Sequence, residues 1–392
     1  MNLKDILDKK NIPVLVFAVF VFVYGIYYVR ISNWWIMAVC LLFIAVRCYQ
    51  VKRIRFDINL LFLGEAFLIK AMLDQHTGKS WKVPETIAIP FLVYLAGMMV
   101  TARSREVYWE QESLRLKDKA GLVSSEKTGV MPENKAGEIP SEIAGVRGKD
   151  GAGLAVSGVP GVVLIALALG QAIVGLVDVR LTHASPIWPL GYYSVAFLGD
   201  TVYTNRITMY ANFIMPLSLM VAAIVWLIFK WAGAGDSQRA VSQESGSKRV
   251  VLVKKMILAA GILAALAFGI CYFRSIHFQA LKEAAALMVT EHWGNFHFTV
   301  LDTDTSGNMW LDYGRESGIM VFAPLFIFFL LTIKDVVRMM REHRATVFVK
   351  AFVLISFVLW NIYYWMDATA FIYPYYWFFG LFVSGVCAGL RE

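Results

Sequence analysis

Long apolar runs alternate with short polar breaks along this chain, and the rhythm repeats ten times. The runs fall near 12–29, 34–49, 58–73, 86–102, 154–178, 207–230, 255–273, 318–337, 347–366 and 369–389. About 20 apolar residues at helical rise cross the hydrocarbon core of a bilayer, so each run is a candidate transmembrane helix. The pattern predicts an all-α, polytopic bundle of about ten spans. The runs at 34–49, 58–73 and 86–102 are the shortest, and 58–73 also carries Glu65 and Lys70. Charges within a span face a bundle interior or a water-filled cavity, or pair and snorkel near a span end.

Composition removes the soluble alternative. Of 392 residues, 58% are hydrophobic and 17% charged, against roughly 25% charged in soluble domains. Aromatics make up 14% and cluster in "NWW" (33–35) and "YYWFF" (375–379), as suits anchoring at the headgroup level. A net charge of +8 does not indicate nucleic acid here. With the N-terminus inside, most Lys and Arg fall on the cytoplasmic side, which places both termini in the cytoplasm and the chain in the cell membrane. "MNLKDILDKK" is too polar, and its following span too long, for a cleaved signal peptide, so it reads as the leader of a retained first helix. Cys40, Cys48, Cys271 and Cys387 lie in or beside apolar runs without C-x-x-C spacing, and read as small buried hydrophobes.

Five regions follow. Residues 1–102 hold spans one to four, and 103–153 form a cytoplasmic loop. That loop opens with a charged helical piece and continues in Ser, Gly, Pro and charge, a composition that predicts disorder. Residues 232–250 look similar. Residues 154–273 hold spans five to seven with an outer loop at 179–206. Residues 274–317 form a long outer loop before span eight, and 318–392 hold the last three spans. No glycine-lysine phosphate loop or nucleotide fingerprint occurs, so neither an ATPase domain nor a nucleotide cofactor is expected.

The polar groups available for chemistry are therefore in the two outer loops. Arg180 and Arg206 bracket the first; Arg274, Lys282 and Arg315 lie in the second. The densest stretch is "DTDTSGNMWLDYGRESG" (302–318). Read as a calcium loop, Asp302, Asp304, Ser306 and Gly307 take positions 1, 3, 5 and 6. Position 12 is then Tyr313, which has no carboxylate, and the preceding "FHFTVL" favours β structure over a helix. No metal site is expected. Read instead as a helix start, Ser306-Gly307 is a turn and Asn308 an N-cap. From Met309 the pattern turns helical and runs into span eight. Asn308, Asp312 and Arg315 then share one face at the outer membrane surface. A helix N-terminus and an Arg suit phosphate oxygens, and a carboxylate or His can orient or deprotonate a hydroxyl.

"TSGNMWLDYGRESGIMVFAPLFIFFLL" (305–331) resembles the segment that the O-antigen ligase and polymerase family writes as His-Asn, an apolar residue or two, Leu, and a Gly-rich lead into a helix. "LKEAAALMVTEHWGNFHF" (281–298) is similar to the amphipathic helix before that motif, and 360–385 looks like the family's last hairpin. Gly307 stands where the family has its histidine. His297, His292, Glu291, Asp304 and Asp312 are the candidates to replace it, and His297 is taken with Asn308, Asp312 and Arg315 as the catalytic set. The resemblance implies glycosyl transfer, without cofactor or metal, on the outer face of the membrane. The donor would be an oligosaccharide on a polyprenyl diphosphate, with its tail in apolar grooves among membrane lipid. Arg180, Arg206 and Arg315 would bind the leaving diphosphate. Other polysaccharide assembly proteins are the implied partners, and nucleic acid is not. The leading expectation is an envelope polysaccharide polymerase. A ligase that moves finished glycan to another carrier, a lipid-linked glycan transporter, and a membrane scaffold or sensor are the alternatives.

Overall fold

The structure, a computed structural model, describes residues 11–26, 32–52, 56–76, 83–102, 150–182, 192–197, 200–237, 308–341, 345–366 and 374–390, with single helical positions at 263, 267, 270, 282 and 286. Among them the fold is helical with one short hairpin. The helices are α1 (Ile12–Gly25), α2 (Asn33–Val51), α3 (Ile58–His76), α4 (Val83–Val100) and α5 (Asp150–Thr182). Strands β1 (Tyr192–Phe197) and β2 (Asp200–Asn205) follow, then α6 (Arg206–Ser237), α7 (Met309–Ser317), α8 (Ile319–Arg341), α9 (Val347–Met366) and α10 (Pro374–Leu390). The strands pair antiparallel, Tyr192 opposite Asn205 and Phe197 opposite Asp200. They occupy a stretch expected to be loop.

The helices sit on the apolar runs. Asn33–Val51, Ala211–Lys230, Ile319–Arg341 and Val347–Trp365 are long and apolar enough to cross a membrane; Ile12–Gly25, Ile87–Val100, Pro160–Leu176 and Tyr376–Leu390 are shorter apolar helices. Their outward faces carry Leu41, Leu42, Leu176, Leu227 and Leu330, all exposed. Apolar surface of that extent is what lipid, rather than water, would cover. Pro90, Pro160, Pro216 and Pro324 lie inside helices, where neighbouring helices in a membrane bundle can take up the freed backbone groups. The expected span 255–273 and the loop 103–149 lie outside the described residues, apart from the single helical positions 263, 267 and 270.

Two contacts set how closely the helices approach. On α4 and α10, a Cβ added at Gly97 would meet the Phe382 carbonyl, and one at Gly385 would meet the Tyr94 carbonyl. On α1 and α5, Gly25 and Gly170 meet backbone to backbone in the same way. Small residues at such crossings let dispersion act over the whole interface, which is the main attraction available between helices in lipid. Around them the core is largely aromatic, with Tyr94, Phe352, Trp360, Trp377 and Phe379 fully buried.

Polar contacts tie the helices at one end of the bundle. The last carbonyls of α4 have no partner within their own helix. Arg47 supplies one, donating from Nε to the Met99 carbonyl (3.1 Å) and from Nη2 to the Ala102 carbonyl (2.6 Å). Asp57 begins α3: its carbonyl accepts from the Leu60 N–H (3.0 Å) and its carboxylate from the Asn59 N–H (3.4 Å). Asn59 Nδ2 in turn donates to Asp335 Oδ2 on α8 at 2.7 Å. The C-terminal ends of α2, α4 and α8 and the start of α3 therefore gather at this end. The start of α8 and the C-terminal half of α3 meet at the other.

Candidate functional site

The expected helix start is present, and its cap is built as the residue types require. Asn308 has extended backbone, and its Oδ1 accepts from the Leu311 N–H at 3.1 Å. Its carbonyl accepts from the Asp312 N–H at 2.9 Å. The Asn308 Nδ2 reaches across to the Trp365 carbonyl near the end of α9, at 3.5 Å. One amide side chain thus caps α7 and leans it on α9. Asp312 falls in the first turn, where the helix dipole favours a carboxylate.

Two features differ from the sequence expectation. The helix does not run on into the next span: α7 stops at Ser317 and α8 starts at Ile319. Gly318 joins them with φ 74° and ψ −179°, a backbone region open essentially to glycine alone. The Gly318 carbonyl then accepts from the Val321 and Phe322 N–H groups to start α8. The second difference is burial. Asn308 is 1% exposed and Asp312 4%, so these groups are enclosed rather than presented on a solvated face. Met309, Trp310, Leu311 and Tyr313 are buried as well.

Trp310 and Tyr313 pack on aromatic side chains of four other helices. Trp310 lies 5.3 Å from Phe329 and 6.3 Å from Tyr364, centroid to centroid. Tyr313 lies 5.2 Å from Trp377 and meets Phe67 edge-on at 6.2 Å. Trp360 stacks on Tyr364 and Phe379, and its Nε1 donates to Met215 Sδ at 3.4 Å. Tyr364 donates to the Tyr376 carbonyl at 3.2 Å. Lys70 brings a cation to the cage, with Nζ 5.9 Å from the centre of the Tyr313 ring, within cation–π range.

Glu65 and Lys70 separate. Lys70 is half-buried beside α7, whereas Glu65 is exposed on the outer face of α3, on the same side as Leu61 and Leu68. Of the two readings for charges in this span, facing the interior fits Lys70 in part and does not fit Glu65. The spacing of five residues explains it, because five helical steps rotate a side chain well past one face.

Of the expected site residues, Asn308 and Asp312 are brought together in α7. Arg180 stands in the last turn of α5, Arg206 at the first position of α6 and Arg315 in α7; these three are placed by their backbone only. His297, His292, Glu291, Asp302, Asp304 and Gly307 lie outside the described residues, as do Arg274 and Cys271. Lys282 is helical and exposed. Cys40, Cys48 and Cys387 are free thiols, two of them buried. Among the described residues no group of three His, Cys, Asp or Glu side chains is placed to hold a metal ion.

Sequence reasoning missed the polar cluster of Arg47, Asp57, Asn59 and Asp335. Its signal was present in the buried periodicity of α8, which carries Asp335 on the same stripe as Phe328, Thr332 and Met339. Lys334 and Arg338 flank Asp335, so in the sequence it sits within a charged span end. No family model, curated protein or solved structure matches the chain.

Proposed function

We propose that this protein is a ten-span cell-membrane glycosyltransferase, an envelope polysaccharide polymerase, with both termini cytoplasmic and α7 at the outer face. The observation that carries the reading is α7 itself. It is a helix of nine residues at one end of an apolar bundle, with a buried capping amide and a buried carboxylate beside two rings, Trp310 and Tyr313, that pack on further aromatic side chains. Aromatic faces stack on the apolar faces of sugar rings, and a desolvated carboxylate orients or deprotonates a hydroxyl.

The helix directions support ten crossings. Met215 near the start of α6 bonds Trp360 near the end of α9, and that end of α9 leans on Asn308. Ser237 and Asn308 therefore stand at opposite ends of the bundle, and one crossing by 255–273 would join them. The loops that follow α2 and α4 then share a side with the C-terminal ends of α6 and α8, and the last turn of α8 carries Arg338 and Arg341, in keeping with retention of Lys and Arg in the cytoplasm.

In the proposed reaction an acceptor sugar hydroxyl attacks the anomeric carbon of a donor glycan held on polyprenyl diphosphate. The new C–O bond forms as the bond to the diphosphate oxygen breaks. The hydroxyl proton passes to Asp312 or to His297, and polyprenyl diphosphate leaves with its electron pair. Arg180, Arg206 and Arg315 are the cations proposed to stabilise that charge. The tail would lie against the outward apolar faces of α8 and α9, among membrane lipid, and no cofactor takes part.

Deletion of the gene followed by glycan profiling tests the reading. Accumulated single repeat units on lipid support a polymerase; full-length lipid-linked chains indicate a ligase of the same chemistry. Normal glycans would exclude both. A second reading, a transporter of lipid-linked glycan, is favoured by the buried Asp335–Asn59 pair, because ionisable groups inside membrane helices often mark a transport path. It predicts normal polymers on transported lipid and none when translocation is blocked.

A further inference from the structure

We infer that the cavity between α7, α8, α9 and α10 is a binding site for a single hydroxyl oxygen, seated by Trp310. The cavity measures about 20 Å³, enough for one water-sized oxygen, which needs at least ~10–15 Å³. Its polar lining is Trp310, Thr332, Asn361, Tyr364 and Ser384.

The hydrogen bonds of that lining are one-sided. Thr332 donates to the Phe328 carbonyl (2.9 Å), Ser384 to the Gly380 carbonyl (2.8 Å), Asn361 to the Phe357 carbonyl (2.8 Å) and Tyr364 to the Tyr376 carbonyl (3.2 Å). Each side chain spends a hydrogen on a helix backbone and keeps acceptor capacity on its oxygen. Trp310 is the reverse case. Its Nε1–H is buried, it can only donate, and among the described residues it has no acceptor. An indole N–H left so has given up its bond to water with nothing in return. A hydroxyl oxygen in this cavity accepts from Trp310 and donates to the oxygens around it, so one small ligand satisfies both sides. A bare cation would face the Trp310 donor, and an anion would face the oxygens of Thr332, Tyr364, Ser384 and Asn361.

The same oxygen would couple α7 to the three helices behind it, which makes Trp310 a positioning residue for Asn308 and Asp312 whatever reaction they serve. Two sources share this chemistry: solvent water and a sugar hydroxyl. A high-resolution structure of the full chain in lipid nanodiscs separates them. A peak within hydrogen-bond distance of Trp310 Nε1 in protein without glycan identifies water. A peak present only with a polyprenyl-diphosphate-linked oligosaccharide bound identifies a sugar hydroxyl. No peak in either sample overturns the inference. Benzothienylalanine in place of Trp310 removes the N–H and little else. The bound oxygen then loses its donor, and the melting temperature should fall by roughly 2–4 °C. An unchanged or higher melting temperature would mean that the N–H had no partner to lose.

Discussion

Asn59 and Asp335 stand 276 positions apart in the chain and are joined by a 2.7 Å hydrogen bond. Both are almost wholly buried. The bond fixes the start of α3 against the far part of α8, and the same two helices flank α7 at the other end. Replacing Asp335→Leu leaves the Asn59 Nδ2 without its acceptor in an apolar interior. Unfolding in detergent should show a loss of about 1–3 kcal/mol. Asn59→Leu should lose a similar amount, and the double variant less than the sum, because the two changes remove one interaction. Strict additivity would show that the contact carries no energy.

Gly318 separates α7 from α8. An added Cβ there meets nothing within 4 Å, so any effect of substitution is conformational. Gly318→Ala should cost about 1–3 kcal/mol. Gly318→Asn should cost as much, because a ψ near 180° lies outside the left-handed region that Asn tolerates. Thermal unfolding of the two variants checks this, and a well-tolerated Asn would show that the joint adopts another conformation.

The approach of α4 to α10 predicts a contrast between two glycines. Gly385→Ala drives a methyl into the Tyr94 carbonyl, which is backbone and cannot swing aside; overpacking of this kind costs about 1–3 kcal/mol. Gly64→Ala meets only the Phe91 ring at 3.8 Å. It should be neutral or stabilise α3 by about 0.5–1 kcal/mol through helix propensity. Parallel denaturation of both variants reads the difference.

Glu65 is exposed on the outward face of α3 beside Leu61 and Leu68. If that face meets lipid, Glu65→Leu removes a charge from hydrocarbon and should stabilise the protein by about 2–3 kcal/mol in bicelles. A loss of stability instead would mean that Glu65 is part of a polar contact made by another segment or another copy.

Apart from the short α7, the helices were legible because they lie on long apolar runs, a signal local to each run. Even α3 kept its run despite Glu65 and Lys70. The cap at Asn308 was legible for the same reason: a turn, an Asn and a helical pattern are adjacent in sequence. What was not legible depends on distant residues. Asp312 is buried in a segment whose Trp310 and Tyr313 pack on Tyr364, Phe67 and Trp377, rings that other helices deliver. The partner of Asp335 lies near the other end of the sequence. The break at Gly318 was not expected, since the helical pattern runs on through the glycine and its backbone angles follow from how α7 packs on α8 and α9.

The central claim is that α7 serves glycosyl transfer. Its most direct test supplies purified protein in nanodiscs with a polyprenyl-diphosphate-linked oligosaccharide, then measures chain length and released polyprenyl diphosphate. Wild type should lengthen the glycan and release one polyprenyl diphosphate per linkage formed. Asp312→Asn, a near-isosteric change, should slow both about 100-fold or more while the melting temperature stays close to that of wild type. Wild-type protein that neither extends the glycan nor releases the lipid, or an Asp312→Asn variant at full rate, would contradict the account.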